Sequence, residues 1–129
     1  MHESALLMKI IKTVQTTASK NQIRHIKAIE LDIGEFSGVL PIFLKQYFTP
    51  FTKDDELFHQ AELIIHSVPG AGLCQSCQQT FHITDWDAAC PHCGNRQIQM
   101  LSGREIIIRN IWVETDDRKD KHNARNQID

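Results

Sequence analysis

Four cysteines fall in two pairs with the same internal spacing, Cys74–Cys77 and Cys90–Cys93, in the pattern Cys-x2-Cys-x12-Cys-x2-Cys. Two residues between cysteines let both sulfurs of a tight turn face one ion, and two such turns complete a tetrahedron around Zn²⁺. Gly94 follows the second pair, where glycine tolerates the positive φ that such a turn can require. The spacing therefore predicts a zinc site formed by Cys74, Cys77, Cys90 and Cys93.

The same cysteines could instead form disulfides, a redox-active dithiol pair or a catalytic zinc site. Disulfides are rare in the reducing cytosol, where clustered cysteines more often bind metal. Four thiolates leave no open coordination position for water, so the zinc is predicted to be structural, stabilising a module too small for a core of its own. His92 could enter the coordination shell or bind a second ion, but four thiolates suffice. His82 and His92 are therefore interpreted as exposed polar residues.

A second candidate metal site is the first three residues, Met1, His2 and Glu3. The Met1 amine, the following amide nitrogens and the His2 imidazole can converge on one ion, and such nitrogen-rich donors suit Ni²⁺ or Cu²⁺ better than Zn²⁺. Glu3 could add a carboxylate oxygen or its own amide nitrogen. The alternative is a solvated first helical turn, in which the helix dipole alone favours Glu3. These residues by themselves leave both interpretations open.

These candidate sites must be positioned by elements that the hydrophobic periodicity predicts. Residues 2–19 are predicted to form a helix that stops near Asn21, with an apolar stripe of Leu7, Ile10, Ile11, Val14 and Ala18. Residues 26–34 alternate with period two, as in a half-buried strand. A second helix is predicted from Pro41, ended or kinked by Pro50, and lined by Leu44, Tyr47, Phe48 and Phe51.

Two further strands are predicted at 61–68 and 105–114, the latter with a bulge near Arg109–Asn110 where its alternation slips. The sequence PGAG at 69–72 marks a boundary before the cysteines. The predicted fold class is α+β: two helices on a three-stranded sheet with an inserted four-cysteine zinc-ribbon module. The predicted divisions are a discontinuous nickel-binding α+β domain (1–70 and 102–115), a zinc-binding module (71–101) and a disordered, almost wholly polar tail (116–129).

Charge and composition exclude several classes of protein. The chain has 129 residues, 41% of them hydrophobic and 23% charged, with a net charge of -2, so neither nucleic acid nor a membrane surface is expected as a partner. Residues 71–101 contain one basic residue, Arg96, against Asp85 and Asp87, and a tetrathiolate zinc adds negative charge that repels phosphates. No segment approaches the ~20 apolar residues of a membrane span. The apolar run before Lys9 lacks the features of a secretion leader. We expect a cytoplasmic protein.

Four segments of the chain together resemble one known family. They are MHE at the start, LDIGEFSGV at 31–39, the paired CxxC segment at 74–93 and GREIIIRNIWVE at 103–114. In order and spacing they resemble the HypA/HybF family of hydrogenase nickel-incorporation proteins, over about residues 1–114.

The resemblance implies a nickel metallochaperone, not an enzyme, that serves maturation of [NiFe]-hydrogenase and, in some organisms, urease. It implies that nickel binds His2, with the Met1 amine and Glu3 as candidate co-ligands, and that the four cysteines hold structural zinc. Expected partners are a HypB-type GTPase and the hydrogenase large subunit, and a weak homodimer is a further expectation. Some members carry a carboxylate where this chain has Leu40. Glu35 and, less favourably, Asp32 are the nearest replacements.

Two alternative functions are compared with the nickel chaperone. A zinc-ribbon adaptor or nucleic-acid-binding regulator predicts a basic module surface, which the charge count disfavours. A metallohydrolase predicts an HExxH motif or a GxSxG nucleophile turn, and the sequence contains neither.

Overall fold

The computed structural model describes residues 3–85, 88–114, 119–122 and 126–127. Helix α1 begins at Glu3 and ends at Lys20, in agreement with the predicted helix except that Met1 and His2 lie outside the described residues. Its buried stripe contains the five predicted residues and one more: Leu6, Leu7, Ile10, Ile11, Val14 and Ala18. The helix stops because Gln22 adopts a positive φ of 53°, and the Asn21 side chain donates to the Thr17 carbonyl (2.8 Å).

Strand β1 (Ile26–Gly34) lies at the centre of the main sheet. Strand β2 (Glu62–Val68) pairs with it in parallel, and β6 (Ile106–Glu114) pairs with its other edge antiparallel. A parallel pair requires a crossover, here containing helix α2 (Pro41–Thr52) and a 3₁₀ helix, Glu56–Phe58. Both α-helices contribute to the hydrophobic core on one face of β1 and β6. The described residues thus confirm the α+β class, and none of their helices is both long and apolar enough to cross a membrane.

Helix α2 differs from its prediction in two respects. It continues past Pro50 to Thr52, so the expected end at Pro50 is wrong, and the alternative of a kink there stays a prediction. Pro50 removes only one backbone hydrogen bond in the last turn, where the Thr52 hydroxyl donates to the Phe48 carbonyl (2.8 Å). Of the four predicted lining residues, Leu44 and Phe48 are buried, whereas Tyr47 and Phe51 are 41% and 40% exposed.

The bulge predicted in the last long strand is confirmed. Glu30 of β1 lies opposite Asn110, but the next residue, Leu31, lies opposite Ile108, so Arg109 is the extra residue. The shift moves the buried face of β6 from even to odd positions, and the residues on that face are Ile106, Ile108, Ile111 and Val113. The bulge therefore keeps a continuous apolar face toward the helices.

The opposite face of the sheet is connected by the Glu30 carboxylate, whose side chain is 13% exposed. It accepts hydrogen bonds from Asn110 Nδ2 (3.1 Å) and from the Trp112 indole N–H of β6, and it pairs with His66 Nε2 of β2 (2.8 Å). Burial acts to raise the pKa of Glu30, but the bonds from His66, Trp112 and Asn110 together lower it below its usual 4.5. One carboxylate thus connects the neighbouring strands β2, β1 and β6.

Replacing Glu30 by Gln should therefore make stability less dependent on pH. A carboxylate with a lowered folded-state pKa stabilises the fold above pH 4.5, and that contribution is lost as pH falls through the folded-state pKa. At pH 7 we expect Glu30→Gln to cost about 1–2 kcal/mol, with the difference from wild type shrinking toward pH 3. Urea unfolding at several pH values measures it. Glu62→Gln, an exposed position on β2, is the control and should differ little from wild type at any pH.

Residues 71–102 contain a second sheet among the described residues. Strand β3 (Ala71–Cys74) pairs antiparallel with β4 (Thr80–His82) and with β5 (Ile98–Ser102). These strands occupy the segment predicted as an inserted module, 71–101, and β5 extends one residue beyond it. The proposed division of the chain into separate domains stays a prediction.

Three glycines form the junction between the two sheets. A Cβ on Gly34, the last residue of β1, would overlap the Gly103 carbonyl oxygen, and a Cβ on Gly103 would lie 2.6 Å from the Gly70 Cα. Gly103 also has a φ of +114°, which favours glycine. A Cβ on Gly70 would lie 2.5 Å from the Phe36 ring. The backbone at Gly103 thus packs directly against the backbone at Gly34 and at Gly70. The module therefore leaves and rejoins the main sheet at one closely packed point.

Gly103→Ala should destabilise the protein by about 3 kcal/mol or more, because it adds a backbone overlap to an unfavourable φ. Gly38→Ala is the matched control. Gly38 also has a positive φ, +83°, but an added Cβ would meet nothing within 4 Å, so only the conformational cost of about 1–2 kcal/mol applies. Thermal or urea unfolding of both variants tests the difference. Equal losses would show that the junction tolerates a side chain.

The end of the chain differs in part from the predicted disordered tail. Strands β7 (Lys119–His122) and β8 (Asn126–Gln127) pair antiparallel with β6, so the prediction is wrong for these six residues. The unpaired N–H and C=O groups along the edge of β6 can pair with a following segment whatever its side chains. The remaining residues of 116–129 lie outside the described residues.

Candidate metal sites

The two cysteine pairs form turns of the same design. At the end of β3, the Cys77 amide donates to Cys74 Sγ (3.4 Å) and the Gln78 amide to the Cys74 carbonyl (2.9 Å). In the second turn the His92 amide donates to Cys90 Sγ (3.3 Å) and the Gly94 amide to the Cys90 carbonyl (2.8 Å).

Each turn closes on a residue with positive φ, Gln78 at 64° and Gly94 at 79°. The positive φ expected at Gly94 is confirmed. The equivalent at Gln78 was not anticipated, because glutamine carries no sequence signal for that conformation.

The four cysteine sulfurs converge on one point. Cys74 Sγ lies 3.5 Å from Cys93 Sγ, Cys77 Sγ lies 3.6 Å from Cys90 Sγ, and all four lie within 4.8 Å of one another. A tetrahedral ion with about 2.3 Å bonds to sulfur places its ligands about 3.8 Å apart. The geometry therefore fits a four-coordinate metal ion held by thiolates.

The four thiols are so close that their pKa values shift in opposite directions. The Cys77 amide bond is the largest influence on Cys74 and, against the effect of burial, it lowers the pKa of that thiol to about 6. The Gln79 amide acts to lower the pKa of Cys77, but burial and the hydrogen bonds with the neighbouring thiols raise it to about 12. Adjacent sulfurs thus share their protons unless a cation stabilises all four thiolates.

Neither histidine of the module belongs to the described sulfur cluster. His92 is exposed and contacts Cys90 through its backbone amide. His82, also exposed, donates from Nε2 to Glu35 Oε1 (3.0 Å) in the loop after β1. This contact was missed by sequence reasoning, because no local pattern connects residues that lie 47 positions apart.

The start of α1 lies against the loop that joins β1 to α2. Glu3 Oε2 accepts a hydrogen bond from the Leu40 amide (3.1 Å). Met1 and His2 lie outside the described residues, so the predicted nickel ligand His2 and the Met1 amine stay predictions. The described contact does place residue 40, where the family resemblance implies a carboxylate in some members, beside the first turn of α1.

The two carboxylates proposed as replacements are bound elsewhere. Glu35 Oε1 accepts from the Gly70 amide (2.8 Å) and from His82. The Gly70 bond first and the His82 bond second lower the pKa of Glu35. Asp32 Oδ1 lies 3.6 Å from an Arg109 guanidinium nitrogen. These contacts direct both carboxylates to partners other than the first turn of α1.

An apolar groove lies beside that same first turn. It is lined by Ser4, Ala5, Met8 and Phe51, and the Phe51 ring packs against Tyr47 with a centroid separation of 5.6 Å. Met8 is 44% exposed. The sequence placed Tyr47 and Phe51 in the core, because helical spacing alone does not distinguish an apolar stripe that faces the core from one that faces solvent.

A family model described as "Hydrogenase/urease nickel incorporation, metallochaperone, hypA" matches residues 1–113. The chain belongs to the HypA family. The family is one of metallochaperones, and the predicted resemblance is confirmed.

Relatives and solved structures agree with this assignment. The chain is 35% identical over 114 residues to the hydrogenase maturation factors HypA of Dechloromonas aromatica and Chlorobaculum parvum, covering 88% of this chain and all of each relative. The solution structure of the Ni metallochaperone HypA from Helicobacter pylori matches with a TM-score of 0.63 at 22% identity, over 90% of this chain and all of that one. The HypA fold is therefore shared over nearly the whole chain.

Proposed function

We propose that this HypA-family protein is a nickel chaperone that takes up Ni²⁺ at its first residues and delivers it for maturation of [NiFe]-hydrogenase. The observation that supports this most directly is the bond between Glu3 and the Leu40 amide. It holds Glu3, at the beginning of α1, against the loop that joins β1 to α2, in which Val39 is buried. A site that carries nickel needs a held position on the protein and ligands that exchange readily.

The proposed ligand set consists mainly of nitrogen. The His2 imidazole, the Met1 amine and backbone amides supply the donors that suit Ni²⁺, with Glu3 as a further candidate. Leu40 offers no carboxylate, and the contacts of Glu35 and Asp32 lie elsewhere. In this chain the terminal nitrogens would therefore carry most of the affinity. The nickel ion would pass to a partner by ligand exchange, as the partner's donors replace these nitrogens.

The nickel ligands can be tested by titration. His2→Ala should weaken Ni²⁺ binding at pH 7 at least about tenfold, because it removes the imidazole and leaves only weaker donors. Isothermal calorimetry on the full chain measures the affinity. His25→Ala is the control: His25 is exposed and follows the opposite end of α1, so it should bind nickel like wild type. Equal affinity of the His2 variant and wild type would refute the assignment.

For the cysteine cluster we propose a structural zinc held by Cys74, Cys77, Cys90 and Cys93. The sulfur separations support it. Four thiolates fill the coordination shell, so the ion has no position from which to activate water. The metal would stabilise the small β3–β4–β5 sheet, in which few residues are fully buried.

Cys77→Ser should release the zinc and loosen only the module. Amide hydrogen exchange is expected to rise steeply over residues 71–102, while α1 and β1 remain protected by the separate core. Ser76→Ala, an exposed neighbour in the same turn, should keep one zinc per chain and a wild-type exchange pattern. Loss of protection throughout α1 and β1 would contradict an independent core.

The partners proposed are a HypB-type GTPase and the large subunit of the hydrogenase, with urease as a second client in some organisms. The groove of Ser4, Ala5, Met8 and Phe51 supports a protein partner, because a partner covering it would lie next to the nickel ligands. We also propose a cytoplasmic location and a weak homodimer.

A further inference from the structure

Glu35 is the first residue after β1, and its backbone is fixed on both sides. Its amide donates to the Val68 carbonyl at the end of β2 (2.8 Å). The next amide, of Phe36, donates to the Gly103 carbonyl between β5 and β6 (2.6 Å). The start of this loop thus contacts both segments through which the module joins the main sheet.

The Glu35 side chain adds a second set of contacts at the same place. Its Oε1 accepts from the Gly70 amide, in the segment that leads into the module, and from His82 Nε2 on β4 of the module. The His82 and Glu35 side chains are 54% and 40% exposed. A single carboxylate oxygen therefore connects the loop, the entry to the module and the module itself.

The other end of the loop reaches the first turn of α1. Val39 is buried in the main core, and its amide donates to the Ser37 hydroxyl oxygen (3.2 Å). The following amide, of Leu40, donates to Glu3. Six residues, 35–40, thus run from the module junction to the residue that directly follows the proposed nickel ligand His2.

We propose that Glu35 is a positioning residue of the nickel site: it does not bind nickel, and it orients the loop 35–40 that holds Glu3. The proposal rests on the nickel site assigned to His2. Glu35 was considered above as a nickel ligand that could replace the carboxylate missing at position 40. The proposal gives it a different role. Its bonds to Gly70 and His82 account for the direction in which it faces.

Two substitutions separate positioning from ligation. Gln at position 35 keeps a side-chain oxygen that can accept from Gly70 and His82, so Glu35→Gln should bind nickel nearly as wild type does. Glu35→Ala removes both bonds, and should lower nickel affinity about threefold to tenfold. In both variants the visible absorption spectrum of the nickel-saturated protein should match wild type, because the ligand set is unchanged. A ligand role would instead change the spectrum and weaken binding in both.

A readout without nickel tests the same proposal. Amide exchange of Leu40, measured by NMR on the full chain before nickel is added, should be faster in Glu35→Ala and close to wild type in Glu35→Gln. His82→Ala, which removes only one of the two bonds, should be intermediate. Glu56→Ala, at an exposed carboxylate of the 3₁₀ helix, is the control and should match wild type.

The outcomes distinguish this proposal from the nickel assignment. If His2→Ala binds nickel normally, the assignment fails, while Leu40 exchange still shows whether Glu35 orders the loop. If Glu35→Ala shows wild-type Leu40 exchange and wild-type affinity, the positioning role is wrong. A changed nickel spectrum in Glu35→Gln would also overturn it, in favour of a ligand.

Discussion

The close approach of backbone segments at Gly34, Gly70 and Gly103 is the constraint on which the rest of the molecule depends. Three neighbouring strands of the main sheet meet there: β1 and β2 end and β6 begins. An added Cβ at any of the three positions would collide with a neighbour. Because the segments touch, the module leaves and returns at one point, and the loop after β1 contacts both of its connections. The loop 35–40 thereby connects the module junction to Glu3, the first residue of α1.

Two carboxylates of the main sheet and its loop each connect three segments of the chain. Glu30 joins three strands on the face away from the helices, and Glu35 joins three segments at the end of the sheet. Each carboxylate has donors that hold it ionised and a lowered pKa. The apolar core alone does not specify how the module is oriented, since its members lie in the helices, the main sheet and the loop 35–40. The contacts of Glu35 add that information.

Much of this architecture was predictable because its signals are local. The stripe of α1, the alternation of β1, the slip at Arg109 and the two cysteine pairs each lie within a short window of sequence. The failures have long-range causes. Tyr47 and Phe51 share helical spacing with buried residues, and spacing alone does not show which side of the helix packs on the core. The Glu35–His82 contact joins residues that only the folded chain brings together. The strands after β6 pair through backbone groups, which composition does not reveal.

The placement of β6 after the module also determines the order in which the protein can fold during synthesis. The second edge of β1 has no partner until β6 emerges from the ribosome. Glu30 likewise lacks its partner Asn110, which lies 80 positions later in the chain. By then the cysteine segment, residues 74–93, has already left the ribosome. Non-local pairing of this kind is slow and leaves strand edges open to association. The cysteine turns can therefore close around their ion before the main sheet is complete.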